Sequence, residues 1–316
     1  MKGISRSSCA LNNDKIPKSE KLTNRIQGVG GMSTQQTWWQ SLDVKQRLKL
    51  VIYALLLVNF AHYIGNDVEQ AQHTFHSGWR WYDWTSNFAT TLDELGWFVL
   101  LFLLELETYV LSDDAFTRGR IVAMNAIRLI CYVAIGHAVF AFGEYLADLA
   151  GATQHVDSVL CAFANDSLSF TRNLEYWELD ASNCGKLSAD SEFYIFSKGQ
   201  VISDAAGMAI EFELAWVDLV EVVVWLFILF FIELRIRLQD RGISSGRLLS
   251  FATTTKGVLY GILWCLAAYW AYRGHWIFAW DEALWILGFM AIGMNLSDWR
   301  KEIAQSTTPS GATSNN

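Results

Sequence analysis

The stretch AIEFELAWVDLVEVVVWLFILFFIEL, residues 209–234, decides the fold class. Its second half is a continuous apolar run, and a helix needs about 20 mostly apolar residues to cross the hydrocarbon core of a membrane. Backbone polar groups find no partners in lipid, so a span of this kind must be helical. Working outward, five further stretches share this character: Leu48–Ile64, Leu95–Leu111, Ile121–Tyr145, Val258–Tyr272 and Ile277–Met294. The expected fold is therefore all-α, a polytopic membrane bundle of six transmembrane helices occupying residues 44–302. A polar N-terminal segment, 1–43, precedes it, and a tail rich in Ser, Thr and Asn, 303–316, is expected to be disordered. Residues 1–43 lack the short apolar core of a cleavable signal peptide, and Met32 offers an alternative start.

Basic residues near membrane ends stay on the cytoplasmic side. They gather before the first span (Lys45, Arg47, Lys49), between the second and third (Arg118, Arg120), between the fourth and fifth (Arg235, Arg237, Arg241, Arg247, Lys256) and after the sixth (Arg300, Lys301). Both termini are thus expected in the cytoplasm, in a plasma or bacterial inner membrane. Trp79, Trp81, Trp84, Trp276 and Trp280 would form an outer aromatic belt, with Trp299 at the inner boundary. A net charge of -8 and the lack of a basic aromatic groove exclude a nucleic-acid partner.

The long outward loop, 151–203, can fold over the mouth of the bundle, with a short strand at Ser191–Phe196 and a sequon at Asn165. It holds Cys161 and Cys184, a disulfide candidate if the compartment is oxidising. Cys131 and Cys265 lie inside spans and read as packing residues.

An internal repeat emerges when the spans are superposed. Aligning Tyr53, Tyr132 and Tyr260 brings the odd spans into register, and aligning Trp97, Trp225 and Trp285 does so for the even ones. Four residues before each tryptophan stands an acid, Asp93, Glu221 or Asp281; eight after it come Glu105, Glu233 and Gly293. The chain reads as three two-helix hairpins. In helix count alone this plan is similar to that of mitochondrial carriers, whose proline-containing motif is missing here, so no function carries over.

Charged side chains at membrane depth cost at least ~2.5 kcal/mol each on insertion scales, and so need a partner, water or a purpose. His137, Glu144 and Asp148 share one face of span three, as do Glu211, Asp218 and Glu221 on span four and Asn59, His62 and Asn66 on span one. With Asp93 and Asp281 they would line an acidic vestibule, opposed within the spans almost only by Arg128. An unbalanced carboxylate set protonates or binds cations. The leading expectation is a channel or transporter subunit passing protons or small cations along His62, His137, Glu144, Asp218, Glu221, Glu105 and Glu233. It requires no cofactor, and an enzymatic role is not expected. Its partners would be the bilayer, the cations, and either further copies or other membrane subunits.

Blander readings stand beside it. Glu144, Asp148, Glu211 and Asp281 would be solvated residues beyond the boundary, and Glu233 would pair with Arg235 or Arg237. The polar stripes would then serve assembly of a non-catalytic subunit in a larger complex. His62 and His137 are a haem-ligand pair if they face each other, which would make a redox protein; His73 and His76, near Asp67 and Glu69, are a metal candidate. A retinal lysine at mid-membrane, a phosphate-binding loop, a zinc-protease pair and a voltage-sensing arginine ladder are all missing from the sequence.

Overall fold

The computed structural model describes residues 44–75, 80–106, 117–240 and 246–290. Residues 1–43 with Met32, the tail, Glu107, Arg241, Gly293, Trp299, Arg300 and Lys301, and His76 and Trp79, lie outside the described residues.

Helices dominate. In chain order they begin with Val44–Thr74 (α1), Trp81–Asn87 (α2), Ala89–Glu105 (α3) and Arg118–Ala150 (α4). Five strands follow, Thr153–Val156 (β1), Ser169–Arg172 (β2), Glu175–Glu178 (β3), Glu192–Ile195 (β4) and Val201–Asp204 (β5), with the short helix Cys184–Leu187 (α5) before β4. Ala205–Asp240 (α6) and Arg247–Tyr272 (α7) come next, and residues 276–290 form a last helix, α8. Helices α1, α4, α6 and α7 are each long and apolar enough to cross a membrane. The α2 and α3 pair, bent by 72°, makes a fifth crossing if it is one span.

The described helices run long because none of them contains a proline, the residue a helix interior tolerates least. Their ends carry local signals. Thr117 caps α4 by accepting the Arg120 N–H, and Asp204 caps α6 by accepting the Gly207 N–H at 2.7 Å. Gly274, with φ of 91°, adopts the left-handed conformation that stops α7. The bend between α2 and α3 falls at Phe88, whose φ and ψ of -104° and 29° leave the helical region.

Packing follows the apolar periodicity. Ile52 and Leu56 of α1, Leu101 of α3, Ile135 of α4, Ile228 of α6, Leu263 of α7 and Ile286 of α8 form one core. At its centre Trp97, Trp225 and Trp285 converge, with Trp97 5.5 Å from Trp225 and 6.3 Å from Trp285 between ring centres. Aromatic pairs of this kind contribute about 0.5–1.5 kcal/mol beyond their buried area. Gly96 lets α3 and α4 approach, since a methyl there would lie 3.1 Å from Ile135. On the outside, Leu57, Val58, Leu129, Ile130, Val133, Phe227, Phe230 and Val258 are exposed. An apolar belt spread over four helices is unfavourable in water and natural against lipid.

The sheet stands in the order β1-β4-β5-β2-β3, with β2 and β5 parallel and the other neighbours antiparallel. Sequence reading finds the β4 region but misses the other four strands, each only four residues long. The Cys161–Cys184 disulfide ties the sheet's own core, built on Leu160, Phe170, Phe193 and Ile202. Hairpin β2–β3 turns through Asn173 and Leu174, both at φ of 60°, a conformation leucine rarely adopts. The bundle holds this tip in place: the Leu174 N–H donates to Glu211 Oε1 on α6 at 2.9 Å, and Asn173 Nδ2 donates to the Arg273 carbonyl at 3.2 Å.

Candidate functional site

Between the sheet and the tryptophan core lies a cavity of about 820 Å³. Its walls come from α1, α2, α3, α4, α6, Trp270 of α7, α8, the residues Leu174 to Trp177 and the β4–β5 turn, with Trp97, Trp225, Trp285 and Phe289 at its base. The long loop therefore folds over the bundle as a small domain whose hairpin forms part of the wall.

Six of the carboxylates that line this space come as pairs on three helices. Helix α3 contributes Asp93 and Glu94, α6 contributes Asp218 and Glu221, and α8 contributes Asp281 and Glu282. Spacings of three and four residues place Asp218, Glu221 and Trp225 on one face of α6, which is why the acids and the base of the cavity belong to the same stripe. Glu94, Asp281 and Glu282 are 7%, 5% and 3% exposed. Their donors are neutral. Trp285 Nε1 donates to Glu94 at 3.1 Å, Trp225 Nε1 to Glu282 at 3.0 Å, Trp270 Nε1 to Glu221 at 2.8 Å, and Asn59 Nδ2 to Asp281 at 2.8 Å. Glu94 faces Asp281, and Glu221 faces Glu282, within hydrogen-bonding reach. Asp93 Oδ1 and Glu282 Oε1 are buried without a donor. Among the described residues, no lysine or arginine forms an ion pair with any of these six acids.

The other acids do have cations or hold structure together. Glu105 accepts from Lys49 Nζ at 2.6 Å and from Tyr53 at 2.8 Å. Glu233 accepts from Tyr132 at 2.7 Å and lies 3.5 Å from Arg237. Glu144 binds Ser86 at 3.0 Å and lies 3.5 Å from Lys198. Asp148 accepts the Lys198 N–H at 2.8 Å, anchoring the β4–β5 turn, and Glu211 holds the β2–β3 tip while accepting from Tyr145 at 3.0 Å. Asp148, Glu211 and Asp281 are buried. Glu213 pairs with Arg273.

Of the transport path expected from sequence, His62, Asp218 and Glu221 reach the cavity wall, as do Asn66, Asp67, Glu69, Asp93, Asp148 and Asp281 among the other residues singled out. His62 lies 3.2 Å from the Asn66 amide. His137 lies away from that wall, stacked on Phe140 at 5.8 Å, with a buried Nε2 lacking a partner. His73 binds Ser169 at 3.0 Å and stacks on Tyr176. Among the described residues, no group of three or more His, Cys, Asp or Glu is arranged to hold a metal ion. Glu94 and Glu282 escaped the sequence reading. Their signal was the doubled acids Asp93-Glu94 and Asp281-Glu282, at the same distance before Trp97 and Trp285.

Fold and site together define a multi-pass helical protein of membrane type, with an acid-lined cavity under a disulfide-bonded sheet. Comparison of the chain with family models, with curated proteins and with solved structures gives no match.

Proposed function

We propose that this chain is a six-span membrane protein of three two-helix hairpins that passes protons or other small cations through its acid-lined interior. In this reading the sheet domain faces outward, where an oxidising compartment supports the Cys161–Cys184 bond, and both termini are cytoplasmic. The observation that carries it is the meeting of acids from α3, α6 and α8 in one cavity with neutral donors alone. An indole or amide N–H fills one lone pair without cancelling charge. Carboxylates gathered without a cation repel one another, and two facing carboxyls share a hydrogen bond only when a proton lies between them. The cavity therefore takes up protons or cations as a condition of its own stability.

The hairpin plan draws support from matched contacts. The Tyr53-to-Glu105 bond has its counterpart in Tyr132 to Glu233, one hairpin later. The Trp285-to-Glu94 bond has its counterpart in Trp225 to Glu282. Passage inward requires the aromatic base of the cavity to part, and beyond it the acids Glu105 and Glu233 stand ready with Lys49 and Arg237 as counter-charges.

Flux measured on the purified chain in liposomes tests this. Glu221→Gln is expected to slow proton or cation uptake at least tenfold. Transport at the wild-type rate would remove Glu221 from the path, and no flux from the wild-type chain would remove the proposal.

A further inference from the structure

The cavity is too large for a bare ion. Its 820 Å³ falls in the range of pockets for organic molecules, roughly 300–1,000 Å³, whereas one water takes about 30 Å³. Its chemistry is also divided. Its three acid pairs sit on α3, α6 and α8, and the wall also carries aromatic rings, Tyr63, Trp270, Trp276 and Phe278 among them. A hydrated inorganic ion gains little from such a wall. An alkyl ammonium gains twice, through ring-to-cation attraction and through its methylenes against apolar surface.

Two carboxylate oxygens in this wall stand without a hydrogen-bond partner. Glu282, 3% exposed on α8, leaves Oε1 without a donor, and Asp93 on α3 does the same with Oδ1. An unmet acceptor at such depth is unfavourable, so each calls for an N–H. The one lysine in the wall, Lys198, is held 3.5 Å from Glu144. An ammonium head brings three donors and one full charge, and six carboxylates without an ion pair carry more charge than one head can balance.

We infer that the cavity binds an organic polyamine, a flexible chain carrying two or more ammonium groups, with one head at Glu282 and Glu221 and another toward Asp93. This rests on the reading of the cavity as a cation site and names the class of cation.

The test is calorimetric titration of the full-length chain in nanodiscs with 1,4-diaminobutane and with spermidine, beside proton and sodium flux in liposomes. Saturable binding of either amine, weakened at least tenfold in Glu282→Gln and in Asp93→Asn, is the expected result. Size-exclusion profiles and thermal melts screen both variants for folding. Wild-type protein that moves protons or sodium but takes up neither amine overturns the polyamine and leaves ion passage standing. Wild-type protein that does neither overturns both. Binding of equal strength in folded variants places the amine elsewhere and overturns the assignment.

Discussion

Trp285 of α8 donates its indole N–H to both oxygens of Glu94 on α3, at 3.1 and 3.2 Å, across 191 residues of chain. The bond does two things at once. It fixes a carboxylate, 7% exposed, at the base of the cavity, and it leaves the negative charge uncancelled because the donor is neutral.

Trp285→Phe keeps the ring and removes the donor. A hydrogen bond to a charged group contributes about 1.5–3 kcal/mol, so a melt in detergent should show a loss of that order. Trp264→Phe, on the exposed side of α7, serves as the comparison and should melt as the wild type does. Equal melting of the two variants would mean that the bond carries no stability.

The disulfide makes a second case. Cys161 and Cys184 close a loop with a separation of 23 residues, and a cross-link of that length stabilises by about 3 kcal/mol in the chain-entropy view. Cys161→Ser with Cys184→Ser should therefore lower the melting of the sheet by that amount and make it protease-sensitive. Far-ultraviolet helix signal should be retained, because the bundle core around Ile135 and Leu263 shares no residue with the sheet core.

Acid should act on the sheet through Asp204. Burial pushes its carboxyl up, but hydrogen bonds from Arg172, Ser188 and the Gly207 N–H outweigh this and hold it below the ordinary 3.8. The sign follows. A group whose value falls on folding stabilises above its unfolded value and loses that contribution as pH drops through the folded one. Sheet stability should thus be level above about pH 4 and decline at lower pH. Arg172→Ala should bring the folded value of Asp204 back toward the unfolded one, so that the acid decline shrinks, and should cost roughly 1–3 kcal/mol at neutral pH, a range kept low because the arginine is 40% exposed. Denaturant melts at pH 3, 4 and 6 measure both.

The two layers of the molecule differed in how readable they were. Long apolar stretches announced the helices, because lipid permits no other backbone. The sheet hid itself, since each strand is four residues long and the parallel pairing of Ser169 with Val201 joins segments that no local pattern links. The bend at Phe88 left no mark, because neither proline nor glycine makes it. The site was half legible. Asp93, Glu221 and Asp281 appeared through their common offset from tryptophan, whereas Glu94 and Glu282 passed as second members of acidic pairs. Nothing local in the chain tells that a tryptophan 191 or 57 residues away reaches them.

That last feature yields the sharpest test of the hairpin plan. The donor set runs from Trp285 to Glu94 and from Trp225 to Glu282, so a threefold scheme would complete it from Trp97 to the position three before Trp225. That position is Val222, 5% exposed, and Trp97 turns instead to Asp93 of its own helix. Val222→Gln supplies the missing acceptor, and although Trp97 must leave Asp93 to reach it, the change should cost about 1 kcal/mol net, less than an amide buried with no donor in reach. The same change at Val224, 6% exposed with no tryptophan awaiting it in the scheme, should cost about 1–3 kcal/mol for an unmet amide in the core. Melts of the two variants under one set of conditions decide the matter. If Val222→Gln is no better tolerated than Val224→Gln, the matched contacts of the other two hairpins are coincidence rather than symmetry.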